Sequence, residues 1–341
     1  MTAIPAGFTR YTGSRIPRVE DPRLLRGRGT FVDDIERPGM LHACFVRSPV
    51  ARGRIVSIDA TRARALPGVH AVFLAEDLNP GVHEQWHSQL GPASPETPRP
   101  PLAEAELRFV GDPIALVVAD DRYLAEDACD LVVVDYETLP PVVDYVAACE
   151  SDVLVHEDYG SNVVHDDGAP PSAMDVVFSA AAHIVEESVH QQAYAAVPLE
   201  TRGIVVEHDA SVGEITIWVA TQAPHEHRAF CARLLGIPEH RVRAIARDTG
   251  GGFGQKILVQ REEMCLMLAA TKLPAAVKWI EDRRENLTAA GWSRHEHATV
   301  RMAFDDEGAI EAVHLDFLSN AGSYPTPWPA MPAMMVGAVL V

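Results

Sequence analysis

The sequence predicts an α+β chain in two parts. Three observations carry that expectation: strand and helix patterns mixed up to about residue 145, a polar and acidic break after them, and alternating strand patterns with one glycine run beyond. The first part opens with a turn at 29–34 and a strand over 40–47. A second strand over 54–60 runs into a short helix that Pro67 and Gly68 end, and extended structure resumes over 69–74. Residues 79–101 are rich in Pro, Gly, Ser and His without periodicity and read as a loop. A strand over 114–119, a helix over 122–130 and a strand over 131–136 complete the unit.

The break spans 147–173 and contains Gly160, Gly168, Pro170 and Pro171, which is the composition of an inter-domain linker. Two domains are therefore expected, 1–146 and 147–341. In the second, 184–191, 203–208 and 214–220 alternate like antiparallel strands, and 225–235 reads as a helix. A strand over 242–246, the glycine run, a helix over 257–270 and a strand over 276–280 follow. A hairpin over 298–304 and 310–320 turns at Asp305-Asp306-Glu307-Gly308. Residues 325–341 are nearly all apolar, a segment expected to await a partner surface or to mark a cut in a longer chain.

Composition narrows the function classes. The chain has 341 residues, a formal charge of −19 and a pI near 5.1, which opposes binding to a polyanion because nucleic-acid affinity rests on Lys and Arg against phosphate. Its five cysteines are scattered and form no C-x-x-C pair, so no disulfide framework or metal ligand set is indicated. A reducing compartment fits, and without a signal-peptide pattern or an uninterrupted apolar stretch of spanning length the expected location is the cytoplasm.

Thr249-Gly250-Gly251-Gly252-Phe253-Gly254-Gln255-Lys256 is the most informative stretch. So little side chain lets backbone N–H groups approach a ligand, and a helix start behind the loop adds positive dipole, so an anionic or oxo-rich guest is expected. The standard phosphate motifs fail here. A Walker loop needs Ser or Thr after its Gly-Lys, whereas Lys256 stands between Gln255 and Ile257, and a dinucleotide fingerprint starting at Gly250 meets Gln255 at its sixth position. A purely structural turn leaves Phe253 unexplained, because an aromatic among glycines exposes apolar area unless a neighbour or ligand covers it. The pairs His225/His227 and His295/His297 lack a third ligand and are expected to be surface polar residues. Glu262-Glu263 and the acids of 281–285 are expected to form solvated faces.

Several segments, in order, resemble the large, molybdenum-binding subunit of the xanthine dehydrogenase, aldehyde oxidase and carbon monoxide dehydrogenase family. They are Arg18-Val19-Glu20-Asp21 with the run 24–35, Phe45-Val46-Arg47-Ser48-Pro49, Val110-Gly111-Asp112-Pro113, and Val134-Asp135-Tyr136-Glu137 with Leu139-Pro140. Further along come His156-Glu157-Asp158, Pro198-Leu199-Glu200, Thr221-Gln222-Ala223-Pro224-His225 and the loop 250–256; the stretch 279–286 leans toward the carbon monoxide dehydrogenase branch.

The resemblance implies an α/β hammerhead domain over 1–146 and the first part of a molybdenum cofactor-binding domain over 147–341. It implies a molybdenum-pterin cofactor, in the cytosine dinucleotide form, whose metal is held by the pterin dithiolene and not by side chains. Gln222 would hydrogen-bond an oxo ligand, Gly252 to Gly254 would offer backbone contacts to the cofactor, and Phe253 would wall the site. Complete members continue past Val341 into a second half that carries the general base, so this chain is expected to be a fragment or one part of a split subunit, inactive alone and without a catalytic residue of its own. Glu200 and Glu263 are not stand-ins for that base. The implied function is water-derived hydroxylation, with electrons passed to an iron–sulfur subunit bearing 2Fe-2S clusters and a subunit bearing FAD. The rival expectation is an inactive half-subunit serving as an interaction module, and a nucleotide-binding protein is the distant third.

Overall fold

The computed structural model describes residues 13–83, 99–166 and 173–324. Within them the strands are β1 (Leu41–Arg47), β2 (Gly53–Asp59), β3 (Val69–Phe73), β4 (Glu106–Leu107), β5 (Pro113–Ala119), β6 (Val133–Thr138), β7 (His183–Ala195), β8 (Gly203–Asp209), β9 (Glu214–Val219), β10 (Val242–Ile245), β11 (Val277–Ile280), β12 (Trp292–Phe304) and β13 (Ile310–Ser319). They form a seven-stranded sheet in the order β10-β9-β8-β11-β1-β5-β3 and two three-stranded sheets, β13-β12-β7 and β4-β2-β6. The apolar tail 325–341, part of the loop 79–101 and the linker positions Gly168, Pro170 and Pro171 lie outside the described residues.

The large sheet draws strands from both sides of residue 147. β1 pairs with β5 antiparallel, and β1 joins β11 in parallel through Leu41 opposite Val277 and His42 opposite Lys278. β5 is apolar at every position and buried along its whole length, the pattern of a strand covered on both faces. On one face the helix Arg122–Cys129, capped by the Asp121 carboxylate on the Leu124 N–H at 2.9 Å, packs with Ala60, Ala63, Val72 and Val117. On the other, the helices Pro224–Leu235 and Arg261–Ala270 share the main core with β1, β5, β8, β9 and β11.

Three sequence expectations change. β7 leaves the strands that follow it and pairs with β12 along nearly its whole length, building the separate β13-β12-β7 sheet. The helix after the glycine run starts at Arg261, not at residue 257. The reason is a competition for acceptors. The Lys256 carbonyl, which a helix would offer to the Gln260 N–H, is taken by the Gln222 N–H at 2.9 Å and the Thr221 hydroxyl at 3.0 Å, while the Gln260 N–H goes to Glu263 Oε2 at 2.8 Å.

The third change concerns the acids expected at the surface. Glu262, Glu263 and Glu281 are 4, 3 and 1 % exposed. Arg202, itself buried, donates through Nη1 and Nη2 to both Glu262 oxygens at 3.0 and 3.1 Å and through Nε to Glu281 Oε1 at 2.9 Å. Arg47 bridges Glu262 at 2.9 Å and Glu285 at 2.8 Å and donates to the Gly111 carbonyl. Burial opposes ionisation of Glu262, but Arg202 and Arg47 override it and hold the carboxyl well below the usual range. The stretch 281–285 became a capped helix, Arg283–Ala289, with Asp282 accepting from the Glu285 N–H and Glu285 reaching back to the Asp282 N–H.

Replacing Arg202 by Met takes the guanidinium from buried Glu281 and leaves buried Glu262 with Arg47 alone. We expect a loss of about 3–5 kcal/mol in urea denaturation at neutral pH, whereas the exposed Arg18→Met should change stability by less than about 1 kcal/mol. Because the Glu262 pKa is depressed on folding, its contribution is complete above the unfolded value of about 4.3 and fades as pH falls below it, so the difference between wild type and Arg202→Met should shrink in acid.

Candidate functional site

Pro198-Leu199-Glu200, Thr221-Gln222 and the glycine run are far apart in sequence and meet at one place. Glu200 is the hub. Its Oε2 accepts from the Gly250 N–H at 2.7 Å and from Lys256 Nζ at 3.1 Å, and its Oε1 accepts from the Val32 N–H at 3.2 Å. Its carbonyl accepts from Lys256 Nζ at 2.8 Å, and its own N–H donates to the Gly250 carbonyl at 3.1 Å. The Lys256 side chain is fully enclosed; burial pushes its ammonium down, and Glu200 opposes that shift. Glu200 thus closes the loop at both ends and ties it to the N-terminal arm. Asp248 adds a second tie, accepting from the Thr30 N–H at 2.7 Å and from Arg23; those hydrogen bonds bring its pKa down to about 2.

Between those ends the backbone follows an unusual path. Gly251 and Gly254 have φ of +96° and +89°, and Phe253 has φ of +53°, a region that a bulky residue seldom occupies. Phe253 is 74 % exposed, and its ring lies beside Gly251, where an added Cβ would stand 3.3 Å from Cε2. Gln222 folds over the loop. Its Oε1 accepts from the Gly254 N–H at 3.0 Å, and a Cβ on Gly252 would stand 2.2 Å from that same oxygen, so only glycine fits there with Gln222 in place. With Oε1 so fixed, the amide orientation leaves Nε2 without a partner among the described residues, as are the N–H groups of Gly252 and Phe253. A Cβ on Gly254 would meet nothing within 4 Å, so the loop is open on that side.

Two further props enter from behind. His227, expected at the surface, is 1 % exposed on the inward stripe of the helix Pro224–Leu235 with Phe230, Cys231 and Leu234. Its Nε2 faces Glu263 Oε2 at 3.3 Å and its Nδ1 lies 3.1 Å from Thr221 Oγ1, the hydroxyl that holds the Lys256 carbonyl. Burial disfavours the imidazolium, yet Glu263 outweighs burial and the pKa is raised. Asn286 donates to Gln255 Oε1 and to Glu281 Oε2, both at 2.9 Å, and so joins the loop to the Arg202 network.

The structure therefore brings all four candidate positions, Gln222, Gly252, Phe253 and Gly254, into one patch. It differs from expectation in the helix dipole, since the helix begins seven residues after Gly254 in numbering and lends the loop no N-terminus. The supports Glu200, Lys256, His227, Glu263 and Asn286 went unread, although the 227, 230, 231, 234 periodicity marks His227 as inward-facing. Among the described residues no group of three or more His, Cys, Asp or Glu side chains is placed to hold a metal ion. A recess of about 630 Å³ beside His190, Tyr194 and Phe317 on the β13-β12-β7 sheet contains none of the four positions.

A loop of bare N–H donors, clamped at both ends and roofed by an oriented amide, can present hydrogen-bond donors to an acceptor-rich group. Residues 26–140 match the aldehyde oxidase and xanthine dehydrogenase a/b hammerhead domain, and residues 155–340 match the molybdopterin cofactor-binding domain. The chain belongs to this family of molybdopterin-binding proteins. It is 40 % identical to the nicotine 6-hydroxylase large subunit of Paenarthrobacter nicotinovorans, over 92 % of this chain and 39 % of that protein. It is 37 % identical to the carbon monoxide dehydrogenase large chain of Afipia carboxidovorans, over 93 % of this chain and 41 % of that one. Quinoline 2-oxidoreductase from Pseudomonas putida 86 superposes with a TM-score of 0.84 at 36 % identity, over 92 % of this chain and 40 % of that chain. The chain spans about two-fifths of the length of these relatives. The names at similar identity include nicotine and quinoline enzymes as well as carbon monoxide dehydrogenase, so the leaning toward the last is one of several equal affinities. Among the described residues no helix is long and apolar enough to cross a membrane.

The residues present fit a molybdenum-pterin group. The open side of the loop offers N–H donors, the nearby carboxylate Glu200 is bonded behind it, and among the described residues no group of three or more His, Cys, Asp or Glu side chains is placed to compete for the metal.

His227 gives a pH test. Its pKa is raised on folding, so its stabilisation is complete below the unfolded value of about 6.5 and is lost as pH rises through the higher folded value. The gap in melting temperature between wild type and His227→Gln should be largest near pH 6 and close as pH rises toward 9; a gap independent of pH would mean that the imidazole is neutral throughout.

Proposed function

We propose that this chain forms the hammerhead and first cofactor-binding portions, divided near residue 147, of the large subunit of a molybdenum hydroxylase. In this reading the cofactor is the cytosine dinucleotide form of molybdopterin, and electrons leave through partner subunits carrying 2Fe-2S clusters and FAD. The substrate lies among those of the relatives, carbon monoxide or a nitrogen heteroaromatic. The five free thiols suit a reducing, cytoplasmic setting.

The observation that carries the reading is the lock between Gln222 Oε1 and the Gly254 N–H, which leaves the Gln222 Nε2 donor uncommitted among the described residues. When bound, the cofactor supplies the two-electron oxidation with oxygen drawn from water. The chain's own contribution is orientation and polarisation. Gln222 would offer an N–H to the bound group without ligating the metal, the Gly252 and Phe253 N–H groups would serve its acceptor atoms, and the Phe253 ring would exclude water from one side. Glu200 and Lys256 hold the loop so that no reorganisation is needed on binding.

The test uses the chain assembled with the rest of the large subunit and its electron-transfer partners. Gln222→Ala should lower turnover on the order of a hundredfold at unchanged melting temperature. Gly252→Ala drives its Cβ into the Gln222 amide and should reproduce that loss, adding little when combined with Gln222→Ala, since both remove one donor. Gly254→Val puts a β-branched residue at φ +89° and should lower molybdenum content itself. Full activity of Gln222→Ala with normal molybdenum in Gly254→Val would make the loop structural only.

A further inference from the structure

His227 is placed so that one proton decides which way a neighbouring hydroxyl points. Its Nδ1 lies 3.1 Å from the Ala223 carbonyl and 3.1 Å from Thr221 Oγ1, and its Nε2 lies 3.3 Å from Glu263 Oε2. Thr221 donates its own hydrogen to the Lys256 carbonyl at 3.0 Å, so toward the ring its oxygen can only accept, as can the Ala223 carbonyl. Nδ1 therefore carries a hydrogen. A bare Nε2 would set its lone pair against the Glu263 carboxylate, so that nitrogen carries one as well. The ring is an imidazolium, although it is buried in the first turns of the helix Pro224–Leu235, where the helix dipole disfavours a cation.

Contacts lead from that ring to the glycine loop. The Lys256 carbonyl that takes the Thr221 hydroxyl also takes the Gln222 N–H at 2.9 Å, and the Gln222 side chain accepts from the Gly254 N–H at 3.0 Å. When the ring loses a proton, the remaining one stays on Nε2 opposite Glu263, and Nδ1 becomes an acceptor 3.1 Å from a rotatable hydroxyl. The Thr221 hydrogen can then turn from the Lys256 carbonyl to Nδ1. The Thr221-Gln222 turn would hold that carbonyl by one donor in place of two.

The ionisable groups around the ring come from several elements. Glu226 precedes it on its own helix, Glu263 faces it from the helix Arg261–Ala270, and on the loop the Lys256 ammonium is paired with Glu200 at 3.1 Å. Burial keeps the thiols of Cys231, one turn on, and Cys265, on the helix of Glu263, in their neutral form, Cys231 being pushed up to about 12. Behind the helix, β10 turns Val242 inward and leaves Arg243 exposed, and Glu239 is paired with Arg228 at 2.8 Å.

We propose that His227 is a positioning residue: the proton held between it and Glu263 keeps the Thr221 hydroxyl on the Lys256 carbonyl and so fixes Gln222 against the glycine loop. Loss of that proton loosens Gln222 without unfolding the chain. The consequence for catalysis rests on the role proposed for Gln222, whereas the consequence for the loop does not.

The test pairs two readouts. In the cofactor-free full chain, hydrogen–deuterium exchange of the Gln222 and Gly254 amides is followed from about pH 6 to about pH 9, a range that begins near the ordinary histidine value, and is corrected for the intrinsic acceleration of exchange with pH. Protection of both amides should fall several-fold as the ring deprotonates. Glu263→Gln keeps an acceptor for the ring and for the Gln260 N–H but removes the charge that holds the proton, so it should move that fall to lower pH. His227→Gln should abolish the pH dependence. In the complex with the rest of the large subunit and its electron-transfer partners, turnover of Glu263→Gln should show the same displacement relative to wild type, whereas a merely structural defect would lower turnover equally at every pH. Protection that is flat with pH in wild type, or a fall that persists unchanged in His227→Gln or fails to move in a folded Glu263→Gln, would overturn the proposal. If Glu263→Gln does not fold, wild type against His227→Gln decides. Protection that shifts as expected while turnover does not follow would uphold the positioning of Gln222 and refute its role in the reaction.

Discussion

The constraint on which the rest of this structure depends is the sharing of one buried guanidinium by two buried carboxylates. Arg202 immediately precedes β8, Glu262 lies in the helix Arg261–Ala270 and Glu281 immediately follows β11, so three elements must be in register for the shared guanidinium to meet both acids. Charge burial of this kind adds little net stability, but each partner left alone is strongly penalised, and alternative packings of these elements are thereby excluded. The Trp279 ring beneath the Arg202 guanidinium at 5.4 Å, edge-on to Phe45, carries the same constraint into the apolar core.

That network reaches the glycine loop through Asn286, and two further buried acids tie the loop from other sides. Glu281 holds Asn286, and Asn286 holds Gln255 inside the loop; Glu263 holds His227, which lies against Thr221 and through it the Lys256 carbonyl; Glu200 holds Gly250 and Lys256. A segment with positive φ at Gly251, Phe253 and Gly254 stores backbone strain, on the order of 1–3 kcal/mol for a non-glycine residue such as Phe253. It persists because the ends are fixed by charged groups that cannot retreat to water. The outcome is a loop whose outward side carries almost no side chain yet is not free to collapse, which is the condition for backbone donors to act without reorganising.

Much of the fold was legible because its strands are short, apolar and separated by glycine, proline or acidic turns: β1, β5, β8, β9 and the β12–β13 hairpin lie close to where their patterns place them. What pattern could not supply was pairing. Nothing in the alternation of β7 says that its partner is β12, more than ninety residues on in numbering. The candidate site was legible through Gln222 and the glycines, whose chemistry is local. Its supports were not, because Glu262 and Glu281 look like solvated acids unless Arg202 and Arg47 are known to face them, and Glu263 unless His227 is. A charge is read as surface by default, and the exception is fixed by contacts between distant segments.

The two-part reading of the chain and the single large sheet are compatible once β1 is considered. Its alternate residues Leu41, Ala43 and Phe45 face the core that holds the loop-bearing helices, while its edges join β5 of the first part and β11 of the second. Arg47, where β1 ends, then delivers a cation from the first part to Glu262 and Glu285 of the second, and Gly111, at φ +99° with Ala289 too close for a Cβ, brings its carbonyl to the same guanidinium. The acids behind the glycine loop therefore draw their counter-charge partly from the opposite end of the sequence. A hammerhead unit without its cofactor-binding partner would leave Arg47 without either acid, and the partner alone would leave Glu262 dependent on Arg202, so the two parts share one buried charge network.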